Sequence, residues 1–384
     1  MMRRAWLARL GRRLGLACAA AGLGLLGACS SAPRQPDPTP LQPVPPILHV
    51  RTAWVAHVGS VPPTFQMAVA QGRVVVASAD GQVQCLSASD GKLLWQSRVE
   101  GGISAAVGSD GTFTAVVDVD NRVVSLGPQG QVLWRYQLPT SVLTPPAVFG
   151  GMVVVQGADQ RLWAFNAATG AKRWEDEFHV PALLLQQGSG IALDGPDLVL
   201  GDASGRLRAV RLVDGTALWD AVIAQPRGVT DVERLVAITG TPSLAAGVAC
   251  ARGYQAGLGC VNLADGHVLW TARADGYTAV SQDGKEMVAA QADGVVQAYA
   301  VADGKLLWHN DELKWRKLSA PLLAGHTVAV GDLQGYVSFL DSSNGRIIGR
   351  ASTDGSPIAT PLVLAGDTLV ALTRDGGVYG FVPR

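Results

Sequence analysis

Short valine-rich apolar runs, each closed by a glycine-bearing turn, follow one another along most of this chain, and no stretch sustains the period of a helix. The pattern predicts an all-β protein. One stretch sets the frame: Asp90-Gly91-Lys92-Leu93-Leu94-Trp95 recurs letter for letter at Asp303 to Trp308, and degenerate copies end at Trp134, Trp174, Trp219 and Trp270, with a weaker one from Asn344 to Gly349. From Trp95 the steps between copies are 39, 40, 45, 51, 38 and 41 residues. A self-similar period of about forty marks a repeat architecture. Asp-Gly supplies the positive φ of a hairpin turn, and the alternating residues behind it suit a strand whose Trp packs on the neighbouring sheet.

Two further turns recur inside each repeat. First turns fall at Gly72, Gly111, Gly151, Gly195, Gly247, Gly284, Gly325 and Gly366, and second turns at Gly81, Asn121, Gln160, Gly205, Ala256, Gly294, Gly335 and Gly376. Third turns follow at Gly91, Gly130, Gly170, Gly215, Gly266, Gly304 and Gly345. Three hairpin turns separate four antiparallel strands, and eight first turns mean eight sheets. The eighth stops short: the chain ends at Arg384, where its third turn is due. An orphan strand from Arg51 to Val58 carries Trp54 without the three strands that should precede it. The expected fold is therefore an eight-bladed β-propeller with four antiparallel strands per blade, its ring closed by the N-terminal strand completing the last blade.

Composition adds limits. The chain is 48% hydrophobic and 16% charged, enough to bury a large core. Residues 1–28 read as a signal segment, with Arg3, Arg4, Arg9, Arg12 and Arg13 ahead of an apolar run too short to span a membrane comfortably. The run ends in Leu26-Gly27-Ala28-Cys29, which resembles a bacterial lipobox, so Cys29 is expected to become a lipid-modified N-terminus. The serine after it resembles lipoproteins sent to the outer membrane. Removing five arginines and no acids leaves 26 basic against 31 acidic residues, a formal charge of −5, which argues against nucleic acid as a partner. Residues 29–47 hold seven prolines between Ser30 and Pro46 and read as an extended tether reaching roughly 50 Å, with the folded body over residues 48–384. Cys250 and Cys260 flank one hairpin. A two-residue loop would point them to opposite faces and a three-residue loop would set them opposite; buried, unpaired thiols are the expectation.

No catalytic or metal motif is present: the six histidines lack HExxH spacing, and there is no GxSxG elbow, phosphate loop or vicinal Cys pair. Asp118-Val119-Asp120-Asn121 has a faint likeness to a calcium loop but reads better as a second turn. The rhythm is stretched by Val180 to Gly190, which holds Leu183-Leu184-Leu185, and by Ile223 to Gly240. Projecting loops on a regular scaffold are where recognition is usually placed. Trp163 and Trp315 lie outside the repeated Trp position and are candidates for either core or contact.

The repeat is similar to that of the pyrroloquinoline-quinone-type propellers. Within them the whole chain from residue 26 resembles the assembly-factor B lipoproteins of the bacterial β-barrel assembly machinery. The lipobox, the eight repeats, Gly228-Val229-Thr230-Asp231-Val232-Glu233-Arg234-Leu235 and Gly331-Asp332-Leu333-Gln334-Gly335-Tyr336-Val337 carry the likeness. It implies a non-enzymatic, cofactor-free scaffold on the periplasmic face of the outer membrane. Such a scaffold binds the POTRA domains of the central barrel subunit and helps deliver unfolded outer-membrane proteins. It also implies contact residues at Leu183, Leu185 and Arg234, with Gln186 standing where the family places an arginine, and Ala237 and Thr239 where it can carry acids. The alternatives are a quinoprotein-type dehydrogenase, or a propeller for another envelope partner.

Overall fold

The residues that break the alternation are where the chain reverses. In the computed structural model, which describes residues 36–44, 47–178, 188–225 and 236–384, every first-turn and third-turn glycine named above has positive φ, as at Gly72 (71°) and Gly345 (73°). Second turns use Gly or a left-handed Asn121 or Gln160, except in the fifth repeat, where the positive φ falls on Gln255 (46°) and not on Ala256.

Among the described residues this yields thirty-two strands in eight four-stranded antiparallel sheets. The first blade is Ala68–Ala70, Arg73–Ala77, Gln82–Ser87 and Leu93–Arg98, paired in that order, and six more repeat the plan. The eighth takes its outer strand, Val50–His57, from the other end of the chain, where it pairs with Gly377–Pro383 and sets Trp54 opposite Gly380. The eight-bladed propeller closed by its N-terminal strand is thus what forms.

The repeated Trp is the clamp between blades. Trp54 Nε1 donates to Ala88 O of the next blade at 2.9 Å, and the same bond joins Trp134 to Ala167, Trp174 to Leu212, Trp219 to Leu263 and Trp270 to Val301. Each indole also lies over the third-turn glycine of that next blade: a Cβ on Gly91 would sit 2.6 Å from the Trp54 ring, and one on Gly215 2.8 Å from Trp174. Glycine is needed there twice over, for φ and for space. Opposite each Trp in its own sheet stands a small residue, Cys85, Ser125, Ala164, Ala209, Cys260, Ala298 or Gly380. The seventh blade inverts the pair, with Gly349 facing a buried Phe339, so the volume is conserved across the strands.

The core lies between blades as layers of valine, leucine and alanine; one layer joins Val199, Leu207 and Ala209 of the fourth blade to Ala249, Ala251 and Val261 of the fifth. Trp163 belongs to such a layer and is buried, whereas Trp315 is exposed. Asp118 is a turn residue: its Oδ1 accepts from the amides of Asp120 and Arg122, and its Oδ2 from Arg122 Nε at 2.7 Å. Asp202 and Asp332 hold their second turns the same way.

Two expectations change. The packed body starts at Thr39 rather than at residue 48, because part of the proline-rich segment is strapped to the sixth and seventh blades. Thr39 N donates to Lys314 O at 3.1 Å, Arg316 Nη1 donates to Thr39 O at 2.9 Å, and Arg350 Nη1 donates to Gln42 O at 3.0 Å. Leu41 and Val44 pack on the core around Leu313 and Trp308, and Leu48 covers Gly349, where the seventh blade lacks its Trp. Prolines favour an extended path and leave carbonyls free for these donors. Secondly, Cys250 and Cys260 form a disulfide. The loop between Gly253 and Gly257 holds three residues, which puts the two cysteines directly opposite, 4.1 Å apart at Cα. Cys85 stays free and buried, and burial pushes its thiol pKa up.

Candidate partner-binding face

In a four-stranded meander the first and third turns fall on one face of the disc. The second turns fall on the other, together with the connections from one blade to the next. Both long connections, after Lys172–Asp176 of the third blade and Ala217–Val222 of the fourth, therefore open on that second face. Leu183, Leu185, Gln186 and Arg234 lie outside the described residues, as does Cys29.

The ends from which those connections spring are described, and they are firmly set. Phe178 is buried beneath the Arg208 guanidinium, 4.4 Å from ring to carbon, and Arg208 Nε donates to Asp202 at 2.9 Å. Ser189 Oγ accepts from Gly201 N at 2.9 Å and lies 3.5 Å from Gly240 O, which joins the end of one connection to the strand that follows the other. Ile238 N donates to Asp202 O, and Tyr254 N to Ala237 O. Contact residues carried on these connections would thus be mounted on rigid, adjacent supports. Ala237 and Thr239 are both buried, at 1% and 3% exposure, so neither presents charge to a partner.

One electrostatic feature of this neighbourhood has no signal in the sequence. Arg252 lies directly opposite Thr239 and is completely buried between the fifth and sixth blades. Its Nη1 donates to Asp275 O at 2.7 Å, while Nε and Nη2 have no hydrogen-bond partner among the described residues. Burial pulls its pKa down to about 10, against the opposing pull of Tyr299 and Asp275. Gly276 leaves the space this guanidinium occupies. A lone Arg in a strand otherwise made of Val, Ala, Cys and Gly has no local pattern that distinguishes it from a surface residue.

The middle of the ring is crossed. Gln66 precedes the inner strand of the first blade and Thr241 sits in the inner strand of the fifth, and these blades stand opposite each other in a ring of eight. Their side-chain oxygens approach to 3.5 Å. The inner strand carrying Thr241, Ile238–Ala245, is bulged between Thr239 and Ser243, as is the inner strand Ile103–Ser109 of the second blade. Among the described residues no three His, Cys, Asp or Glu side chains gather as metal ligands.

Comparison with known proteins places this geometry. A family model described as outer membrane protein assembly factor BamB matches residues 51–126, 100–308 and 292–383. An outer membrane protein assembly factor BamB of Burkholderia pseudomallei is 40% identical over 371 residues, covering 96% of this chain and 97% of that protein. The crystal structure of BamB from Moraxella catarrhalis superposes with a TM-score of 0.78 at 24% identity, over 87% of this chain and all of that one, and so shares the fold. A quinohemoprotein alcohol dehydrogenase from Comamonas testosteroni shares it more distantly, with a TM-score of 0.66 at 12% identity, over 88% of this chain and 77% of that one. With the family model covering most of its length and a relative matched almost end to end, the chain belongs to the outer membrane protein assembly factor BamB family.

Proposed function

We propose that this protein is a lipid-anchored, non-enzymatic scaffold of the outer-membrane β-barrel assembly machinery, held at the periplasmic face of the outer membrane through Cys29. It binds the POTRA domains of the central barrel subunit through the connections after its third and fourth blades. The observation that carries the reading is the nearly end-to-end match to an assembly factor. The two long connections open side by side on one face of the disc, which suits them to a single partner.

Within that interface Leu183 and Leu185 supply apolar contact and Arg234 the remaining charge, while Gln186, Ala237 and Thr239 make the polar part weaker than the family pattern. Affinity therefore rests on burial of the leucines, each contributing about 1.5–3 kcal/mol if fully covered. Replacing both with Asp abolishes co-purification with the barrel subunit and leaves the fold intact; undiminished recovery removes this connection from the interface. The dehydrogenase alternative is served poorly by a ring whose middle is crossed by Gln66 and Thr241 and by a sequence without a vicinal Cys pair. An absorbance scan of the purified protein for bound quinone separates the two readings.

A further inference from the structure

We propose that the connection from the sixth to the seventh blade, residues 311–318, is a lipid-contact site whose anchor is Trp315. The inference rests on the lipid-anchored reading above and adds a second point at which the disc meets the bilayer.

Trp315 is 40% exposed, and its backbone is left-handed, with φ at 62°; Lys317, two residues on, is left-handed as well, at 48°. L side chains with branched or bulky bodies avoid that region, so the loop must be over-determined by its surroundings. It is. Leu313 and Leu318 are buried in the core of the sixth and seventh blades, and Trp315 N donates to Asp293 O at 2.6 Å. Between them Arg316 is buried on Asp332, Nε to Oδ2 at 2.7 Å, with Nη2 on Gln334 at 2.6 Å. Gly294 packs beneath, where a Cβ would sit 2.5 Å from Leu313 O. The fold holds a Trp outward on a rigid loop and sinks its neighbours.

What covers it is argued from the chain itself. The N-terminal strap ends on this loop, with Thr39 bonded on one side to Lys314 O and on the other to Arg316. Thr39 lies ten positions along the chain from Cys29. Even fully extended that stretch spans no more than about 36 Å, so the loop stays within that reach of any membrane in which Cys29 is anchored. Trp beside Lys is the chemistry of a bilayer interface, the ring at headgroup depth and the ammonium toward phosphate. Lys314 pairs with Asp311 at 3.4 Å, and Lys317 has no ion pair among the described residues, so it is the cation available to a phosphate. Acyl chains on Cys29 hold the protein to the bilayer through a single residue and leave the disc free to turn, and a second contact fixes its orientation. Blades six and seven stand across the ring from blades two and three. The connection carrying Trp315 opens on the same face as the connections after blades three and four, three and two blades away from them around the rim.

The test uses the full lipoprotein in vesicles of phosphatidylethanolamine and phosphatidylglycerol, with a nitroxide on Glu312→Cys, exposed in the same loop, or, as control, on Thr112→Cys at an exposed first turn of the other face. Cys85 is buried and Cys250 and Cys260 are bonded, so the introduced thiol is the one that reacts. Collision with oxygen relative to a water-soluble nickel chelate is expected to be at least about twofold higher at 312 than at 112, and to fall to the control value in a Trp315→Ser background. Equal ratios at the two sites, with Cys29 acylated by mass spectrometry, overturn the lipid contact alone; an unacylated Cys29 overturns the anchoring reading on which it stands. A label open to water in vesicles but shielded in the purified assembly machinery assigns the loop to a protein partner and overturns the proposal too.

Discussion

Gly380 faces Trp54 across the strand pair that joins the two ends of the chain, and the indole lies where a side chain at 380 would be. The same indole presses on Gly91 and donates to Ala88 O, so one residue seals the eighth blade internally and clamps it to the first. Converting Gly380 to Val crowds the ring at its seam and costs about 1–3 kcal/mol of overpacking. Urea unfolding of the variant against the parent measures it. Unchanged stability would show that the seam relaxes.

Removing the indole is the complementary change. Trp54→Ala deletes a buried aromatic and orphans a carbonyl, an expected loss of about 3–5 kcal/mol. The closing blade should open before the others, which hydrogen exchange at Gly377–Pro383 would reveal as protection lost there first.

The disulfide joins Cys250 and Cys260, ten positions apart in the chain. A loop of that size gives about 2–3 kcal/mol by restricting the unfolded chain. The double Ser variant should lose that much stability and keep its fold, and alkylation without reductant should label neither cysteine in the parent. Quantitative labelling of both would refute the bond.

Arg316 and Asp332 form an ion pair with each partner about 2–3% exposed. Breaking it by Arg316→Ala leaves an uncompensated buried carboxylate, at a cost of about 3–5 kcal/mol. It also frees Thr39, so limited proteolysis between Thr39 and Val44 should accelerate well before the blades are cut. Cleavage at the parent's rate would mean the strap is held by Leu41 and Val44 alone.

Lipid attachment predicts its own result. Cys29→Ala should move the protein from the membrane fraction to the soluble one. A variant that still pellets with the outer membrane removes the acyl anchor from the account.

The sequence by itself determined the number of blades, the turn positions and the joining of the chain's ends. Positive φ and a period of two are local demands that only certain residues meet, and they recur wherever the blade recurs. The three-residue loop that pairs Cys250 with Cys260 was not legible, because a positive φ at Gln255 rather than Ala256 depends on how the neighbouring strands meet. Nor was the strap from Thr39, since proline-rich chain looks the same free or docked, and its donors Arg316 and Arg350 lie 277 and 308 residues from their acceptors. Trp163 and Trp315 carry the same letter and opposite fates, one in the core and one in solvent. Only packing decides that, because burial belongs to the surroundings a residue is folded into and not to the residue.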